Sequence, residues 1–249
     1  MIPEWFSVLS VAMLALGALC ALVIVVDILR GHRQQMWIMN VVWPVTALFG
    51  TVLALWAYRR WGRLATRQRY EEARERGEKP PNRGNTPFAA MVAKGAAHCG
   101  SGCALGDLCA EFLAFGAPAV LTWLGWRTLF PPTDTGKMFA VWVLDYLFAF
   151  AFGVAFQYFT IQPMRDLTPG RALVEAVKAD ALSLTSWQVG MYGFMAFAHL
   201  VLFGRIWRHP IHADMPEFWF AMQIAMLCGF ATAYPVNWWL LRSGIKERM

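Results

Sequence analysis

Charged residues are scarce in this chain. Asp, Glu, Lys and Arg make up only 15% of its 249 residues, whereas hydrophobic residues make up 58%. A soluble globular domain carries about 25% charged residues, so the composition excludes that class. It also excludes an intrinsically disordered chain. Long apolar runs are abundant instead, and we therefore expect a polytopic membrane protein.

Signatures of several other protein classes are also missing. Five cysteines leave one unpaired and define no disulfide framework, and the first apolar run lacks the basic start and cleavage site of a signal peptide. The sequence contains no phosphate-binding Gly-rich loop and no hydrolase-type Ser/His/Asp pattern. We therefore predict neither a secreted disulfide-rich domain nor a nucleotide-driven pump, and we do not predict an enzyme.

The apolar runs predict an all-α fold, a bundle of six transmembrane helices in one integral-membrane domain. Each run has about 20 residues, enough to cross a hydrocarbon core of roughly 30 Å, and the alternation typical of a membrane β-barrel is absent. The predicted spans cover residues 5–29, 36–58, 103–126, 138–161, 187–207 and 218–241. A basic segment, residues 59–94, separates the second span from the third.

Lys and Arg are distributed unevenly about these spans. With six spans, 16 of the 22 lie on the side that holds both termini and 6 on the other. Because cytoplasmic loops carry the excess of Lys and Arg, we expect both termini in the cytoplasm and the protein in the inner membrane of a bacterium. Glutamates are mixed into the basic 59–94 segment, which favours contact with anionic lipid over nucleic-acid binding.

The densest set of reactive side chains lies at the start of the third predicted span. Cys99, Cys103, Asp107 and Glu111 are spaced by four residues and form one stripe on a helix. Ionisable side chains inside a span are costly and commonly mark an ion pathway. His98 adjoins the stripe, and imidazole with thiolate suits copper or zinc. The sequence therefore predicts a metal site at His98, Cys99 and Cys103 and an ion pathway through Asp107 and Glu111.

Two alternatives remain open for this segment. The cysteines form a redox-active dithiol, or the neighbouring glycines allow close helix packing and the stripe only holds helices together. The glycines also favour an unwound turn between His98 and Cys103, which would place Cys103 near a helix N-terminus and favour its thiolate. In that case Cys99 and Cys103 should react with thiol reagents faster than Cys20 or Cys228.

Later spans add polar and sulfur-containing side chains. Asp145 in the fourth predicted span is a candidate to continue a carboxylate path from Glu111. Met191, Met195 and His199 in the fifth span are again spaced by four. Thioether and imidazole are copper-type ligands, although methionine is also a common filler of apolar cores. We include these residues in the predicted ion pathway.

Several stretches of the chain resemble a bacterial membrane family catalogued as domain of unknown function 4396. They are residues 43–48 (WPVTAL), 98–107 (HCGSGCALGD), 187–193 (WQVGMYG) and 235–240 (PVNWWL), the last followed by Gly244, Lys246 and Met249. The resemblance gives His98, Cys99, Cys103 and Asp107 as family-motif positions. It implies no settled activity, but members of this family sometimes occur beside copper-oxidase-type domains, which implies copper.

Composition, stripe and resemblance together predict a transporter or channel for a soft metal cation, with copper preferred and zinc as the other candidate. The expected partners are the lipid bilayer, the metal ion, a copper-handling protein and a second copy of this chain. The alternatives from other classes are a membrane dithiol redox protein and a non-catalytic assembly factor.

Overall fold

A computed structural model of the protein describes residues 1–165 and 168–246, without the side chains of residues 162–165. Within these residues every long element is a helix, and two isolated β-bridges are the only extended pairing. The all-helical prediction is therefore confirmed. Met249, the last residue of the family-like stretches, lies outside the described residues.

Nine α-helices follow one another in the described part of the chain. They are α1 (Glu4–Leu29), α2 (Met39–Arg60), α3 (Arg67–Glu75), α4 (Pro81–Asn85), α5 (Phe88–Gly116), α6 (Val120–Trp123), α7 (Asp134–Arg165), α8 (Pro169–Phe197) and α9 (Pro216–Arg242). A 3₁₀ turn (Gly62–Ala65) precedes α3, and α8 continues as a π-helical segment (Ala198–Ile206). Proline opens both α8 and α9, where its missing N–H removes no helical hydrogen bond.

The central helix of the bundle is α5, which packs against α2, α7, α8 and α9. Small residues let α7 approach closely: a Cβ atom added at Gly106 would lie 2.5 Å from the Ala149 backbone nitrogen, and one at Gly102 would lie 3.0 Å from the Gly153 Cα. The close helix packing expected from these glycines is therefore present.

Helix α2 reverses direction halfway along its length. Thr51, with φ 45° and ψ −126°, is not helical, and the two halves fold back so that the ring centroids of Trp43 and Tyr58 lie 5.6 Å apart. In a straight helix the Cα atoms of these residues would be about 22 Å apart. The Tyr58 hydroxyl also donates to Asp27 Oδ2 at 2.7 Å, near the C-terminal end of α1. We call α2 the re-entrant hairpin.

Both ends of the re-entrant hairpin lie at the same end of the bundle. The Gln35 backbone N–H, before the hairpin, donates to the Ala65 carbonyl after it at 2.9 Å. Arg63 pairs with the Asp27 carboxylate, and this contact raises the pKa of Arg63, so the guanidinium stays charged. The segment predicted as the second span, residues 36–58, therefore does not run straight through the bundle, because it enters and leaves on the same side.

The chain termini lie at opposite ends of the bundle. The Met1 amino group donates to the Trp207 carbonyl just after α8, at 2.9 Å, whereas Lys246 Nζ donates to the Gly95 carbonyl on α5, at 3.0 Å. We call the end with Lys246 and the 59–94 segment the basic end, and the other the amino-terminal end. The prediction of both termini on one side of the membrane is therefore not confirmed by the described residues, whose two ends lie at opposite ends of the bundle.

Five helices of the described chain are long and apolar enough to span a membrane, namely α1, α2, α7 over Asp134–Ile161, α8 with its π-helical segment, and α9. Helix α2 meets this criterion although it folds back. Helix α5 is not among them. It carries Lys94, Asp107 and Glu111, and its 29 residues extend over about 43 Å. It begins at Phe88 and ends at Gly116, displaced toward the N-terminus from the predicted third span.

The outer surface of the bundle is apolar. Val8 and Leu19 of α1 and Leu53 of the hairpin are more than half exposed, and contiguous apolar surface of this kind marks contact with a membrane or a partner. Buried polar side chains instead surround α5 (Asp107, Asp145, Gln157, Asp180 and Asn237 among them). The molecule is thus a membrane protein with a polar helix at its centre.

Candidate functional site

The four residues of the predicted stripe do lie along α5, in four different surroundings. Cys99, near the basic end, is bonded to α8, and Cys103 lies one turn further, in the main apolar core. Asp107 is fully buried, and Glu111 lines a cavity toward the amino-terminal end. The stripe therefore connects the two ends of the bundle through its interior.

Cys99 belongs to a set of hydrogen-bonded side chains that we call the Lys246 network. The Cys99 thiol donates to Asp180 Oδ1 at 2.6 Å and lies 3.0 Å from Ser183 Oγ. Asn237 Nδ2 donates to Ser183 Oγ at 2.7 Å. Lys246 Nζ donates to Asn237 Oδ1 at 2.7 Å and to Cys99 Sγ at 3.3 Å. All five side chains are at most 2% exposed, so paired polar groups close the basic end.

His98 lies outside this network. Its Nε2 atom is 3.1 Å from Thr160 Oγ1 on α7, and its ring packs edge-on against Phe156. Neighbouring residues of a helix point about 100° apart, so His98 and Cys99 face different helices. The predicted ligands His98, Cys99 and Cys103 are therefore not brought together, and no group of three or more His, Cys, Asp or Glu side chains in the described part is placed to hold a metal ion.

The predicted unwound turn is wrong as well. Helix α5 is continuous from Phe88 to Gly116, so Cys103 lies about four turns from the helix N-terminus and gains nothing from its positive end. Cys99 and Cys103 are both buried, whereas Cys109 is exposed and Cys228 partly so. Burial therefore favours reaction of Cys228 before Cys99 and Cys103, contrary to the expectation, whereas Cys20 is buried as they are.

Three carboxylates form a second polar group, which we call the carboxylate cluster. Asp107 and Glu111 on α5 and Asp145 on α7 lie close enough to interact electrostatically. Asp107 and Asp145 are at most 1% exposed. Both side-chain oxygens of Asp107, and Oδ1 of Asp145, have no hydrogen-bond partner among the described residues. Buried like charges at such a position require a proton or a bound cation to compensate them.

A cavity of about 110 Å³ leads from the amino-terminal end to this cluster, and we call it the vestibule. Exposed Asp134 and His212 lie at its rim, while the partly buried Glu111 and His199 line its inner part. Lys137 also lines the vestibule and interacts electrostatically with Glu111. The vestibule therefore connects Glu111, one member of the carboxylate cluster, to the amino-terminal end.

A second cavity, of about 310 Å³, lies between α1, the re-entrant hairpin, α5 and α9; we call it the hairpin cavity. Its mostly apolar wall includes Asp107, Met222, Gln223 and Met226. Gln223 Nε2 donates to the Leu48 carbonyl near the hairpin tip at 2.6 Å, and so satisfies a backbone group at the reversal. The Gln223 Oε1 atom and both Asp107 oxygens have no partner in the described part.

The remaining residues of the predicted pathway are divided between core and cavity. Met191 and Met195 are buried in the main apolar core, and His199 lines the vestibule. Neither Asp180, which lies between two predicted spans, nor Lys246, which belongs to the last family-like stretch, was among the predicted site residues. The feature of the sequence that could have indicated both residues is a charged side chain close to an apolar run.

The fold and the site together define a polytopic helical membrane protein whose polar central helix carries two separate ionisable groups. A family described as a domain of unknown function (DUF4396) matches residues 90–246. This match spans more than half of the chain, so the chain belongs to that family, and the resemblance seen in the sequence is confirmed. Comparison with curated proteins and with solved structures gives no match.

Proposed function

We propose that this protein is a membrane transporter or channel that passes a cation along the carboxylate cluster. The observation that carries the proposal is the pair of buried carboxylates, Asp107 and Asp145, whose oxygens lack partners in the described chain. An unpaired buried carboxylate destabilises a fold, and inside a membrane such groups mark ion pathways. The hairpin reversal adds non-helical backbone at mid-depth beside a cavity, an arrangement that transporters use.

We further propose five crossings, α1, α5, α7, α8 and α9, with the amino-terminal end outside. Placing Arg30 and Arg33 at the basic end changes the division of the 22 Lys and Arg by chain segment from 16 against 6 to 18 against 4. The positive-inside rule then supports a cytoplasmic basic end in a bacterial inner membrane. The vestibule would open outward, and the Lys246 network would close the inner side.

Reporter fusions test this topology. A fusion before Met1 should place its reporter outside the cytoplasm, and a fusion after Met249 should place its reporter in the cytoplasm. A fusion within residues 59–94 should also report the cytoplasm. A cytoplasmic N-terminus would contradict the five-crossing arrangement and favour the six-span prediction.

Among cations we favour a soft monovalent metal, with copper(I) first. Met222 and Met226 line the same cavity as Asp107, and thioether sulfur prefers Cu(I). The predicted capture site at Cys99 is less suitable, because the Lys246 ammonium already contacts its sulfur. Copper would also imply a copper-handling protein as a partner. The dithiol alternative loses support, because the Cys99 thiol is buried and bonded to Asp180.

Flux into liposomes tests the function. Purified protein should carry Cu(I) or its analogue Ag(I), and Asp107→Asn should abolish the flux. Met222→Leu with Met226→Leu should reduce flux of the soft ions more than flux of protons. The exposed Asp214→Asn is the matched control. Proton flux without metal flux would refute the copper assignment, and full flux in Asp107→Asn would refute the pathway.

A further inference from the structure

Lys246 reaches the interior of the bundle from the end of the chain. Gly244 adopts φ +72° after α9, the left-handed conformation that commonly ends a helix. The Ile245 and Lys246 backbone N–H groups then donate to the Leu240 carbonyl at 3.1 and 3.2 Å. The chain is thereby folded back, and the Lys246 side chain is 2% exposed. The ammonium is therefore delivered by the segment that follows α9 and not by a packed helix.

The Lys246 ammonium is surrounded by acceptors from two helices. It donates to the Gly95 carbonyl at 3.0 Å, to Asn237 Oδ1 at 2.7 Å and to Cys99 Sγ at 3.3 Å, which uses all three of its donors. Asp180 supplies the nearby negative charge through an electrostatic interaction with Lys246. The Lys246 nitrogen is thus surrounded by two oxygen acceptors and one sulfur acceptor, with a carboxylate nearby, and such surroundings suit a bound cation.

The Asp180 carboxylate also has an unused oxygen, on the side that faces α7. Asp180 Oδ2 is buried and has no partner in the described part of the chain. It lies against Gly153 of α7, where an added Cβ atom would be only 2.1 Å away. The carboxylate therefore keeps one free acceptor inside the protein, although Lys246 has no donor left to satisfy it.

We propose that the Gly95 carbonyl, Cys99, Asp180 and Asn237 form a binding site for a small monovalent cation, and that Lys246 occupies this site as a tethered competitor. Ammonium is the closest probe, because the contacts of 2.7–3.3 Å are ordinary hydrogen-bond distances for an ammonium nitrogen. This site goes beyond the proposed transport function. Only its consequence rests on the proposed function: withdrawal of the segment that carries Lys246 would open the basic end to a transported ion.

Thermal unfolding in different salts tests the site. Lys246→Met removes the ammonium and keeps most of the apolar stem. Its unfolding temperature should rise with NH4Cl or KCl but not with choline chloride, by about 3–6 °C at a tenfold excess over the dissociation constant. Wild type, in which Lys246 fills the site, should show no such difference between salts.

Two controls separate this effect from a general response to salt. Lys178→Met removes an exposed lysine at the basic end, whose side chain is 62% exposed, and should behave as wild type. Lys246→Met combined with Asp180→Asn removes the charge of the site and should lose the response to NH4Cl. A folded Lys246→Met variant without ion-specific stabilisation would overturn the proposal. So would a failure of both Lys246→Met and Lys246→Ala to fold in all three salts, because Lys246 would then be a structural anchor.

Thiol labelling gives a second readout that needs no flux. In a chain that retains only Cys99, Lys246→Met should allow a maleimide to react from the basic end, and NH4Cl should slow the reaction. Labelling that does not respond to NH4Cl would count against the site. The cation site and the transport function can fail separately. If Lys246→Met binds the ion but wild type shows no flux, the cation site stands and the transport function is refuted.

Discussion

The Lys246 network and the carboxylate cluster both lie along α5, but they differ in whether their buried charged side chains have hydrogen-bond partners. In the Lys246 network one cation and one carboxylate share hydrogen bonds with Cys99, Ser183 and Asn237. In the carboxylate cluster, Asp107 and Asp145 are equally buried but lack such partners in the described residues. Buried polar groups that are hydrogen-bonded to each other stabilise one conformation, whereas buried groups without partners keep acceptor atoms that a ligand can use. Under the proposed transport function, the Lys246 network would close the path and the carboxylate cluster would conduct the cation.

The largest expected effect compares one aspartate from each group. Asp107→Asn should lower flux more than about tenfold, a barrier change of roughly 1.4 kcal/mol or more, and leave the unfolding temperature unchanged or higher, because it removes an unpaired buried charge. Asp180→Asn should lower stability by about 1–3 kcal/mol, since Lys246 loses its counter-charge. Vesicle flux and thermal unfolding of both variants measure this. Equal loss of stability in the two variants would remove the distinction.

The next largest expected effect is on stability, and it compares the buried side-chain amides of Asn237 and Gln157. Asn237 accepts from Lys246 and donates to Ser183, so Asn237→Leu should cost about 2–4 kcal/mol of unfolding free energy, because each of these buried groups loses one of its hydrogen-bond partners. Gln157 is equally buried, and its amide atoms have no partner within the described residues. Gln157→Leu should therefore change stability by less than about 1 kcal/mol. Denaturation in detergent measures both, and similar costs for the two would contradict the paired character of the network.

The smallest effect is on chemical accessibility. Exposed Cys109 should react with maleimide first and Cys228 next, while Cys99 and Cys103, both 0% exposed, should react only after unfolding. Mass spectrometry of timed samples would give the order. Early labelling of Cys99 in the native protein would show that the basic end is open and that Lys246 does not close it.

The sequence was informative about patterns along a single helix. The spacing by four placed Cys99 through Glu111 on one face, and the glycines of α5 predicted the close approach of α7. Both features depend on helix geometry alone. The placement of Asp145 beside Glu111 also followed from depth along two neighbouring spans.

The sequence was not informative about contacts that the tertiary fold creates. An apolar run has the same composition whether it crosses a membrane or reverses. Gly50 precedes the non-helical Thr51, but a single glycine inside an apolar run does not distinguish a reversal from a continuous helix. Lys246 and Asp180 are separated by 66 positions in the sequence, and only the return of the chain at Gly244 brings them together. The predicted metal ligands His98 and Cys99 lie apart for a simpler reason, because adjacent residues of a continuous helix face different neighbours.

The most direct test of the central claim concerns Glu111, which joins the carboxylate cluster to the vestibule. Flux in vesicles and thermal stability should be measured for Glu111→Gln and Glu111→Asp side by side. We predict that Glu111→Gln stops flux while the protein stays folded, and that Glu111→Asp retains part of the flux, because the path needs a charge at this position. Wild-type flux in Glu111→Gln, or a loss of flux that only follows unfolding, would contradict conduction along α5.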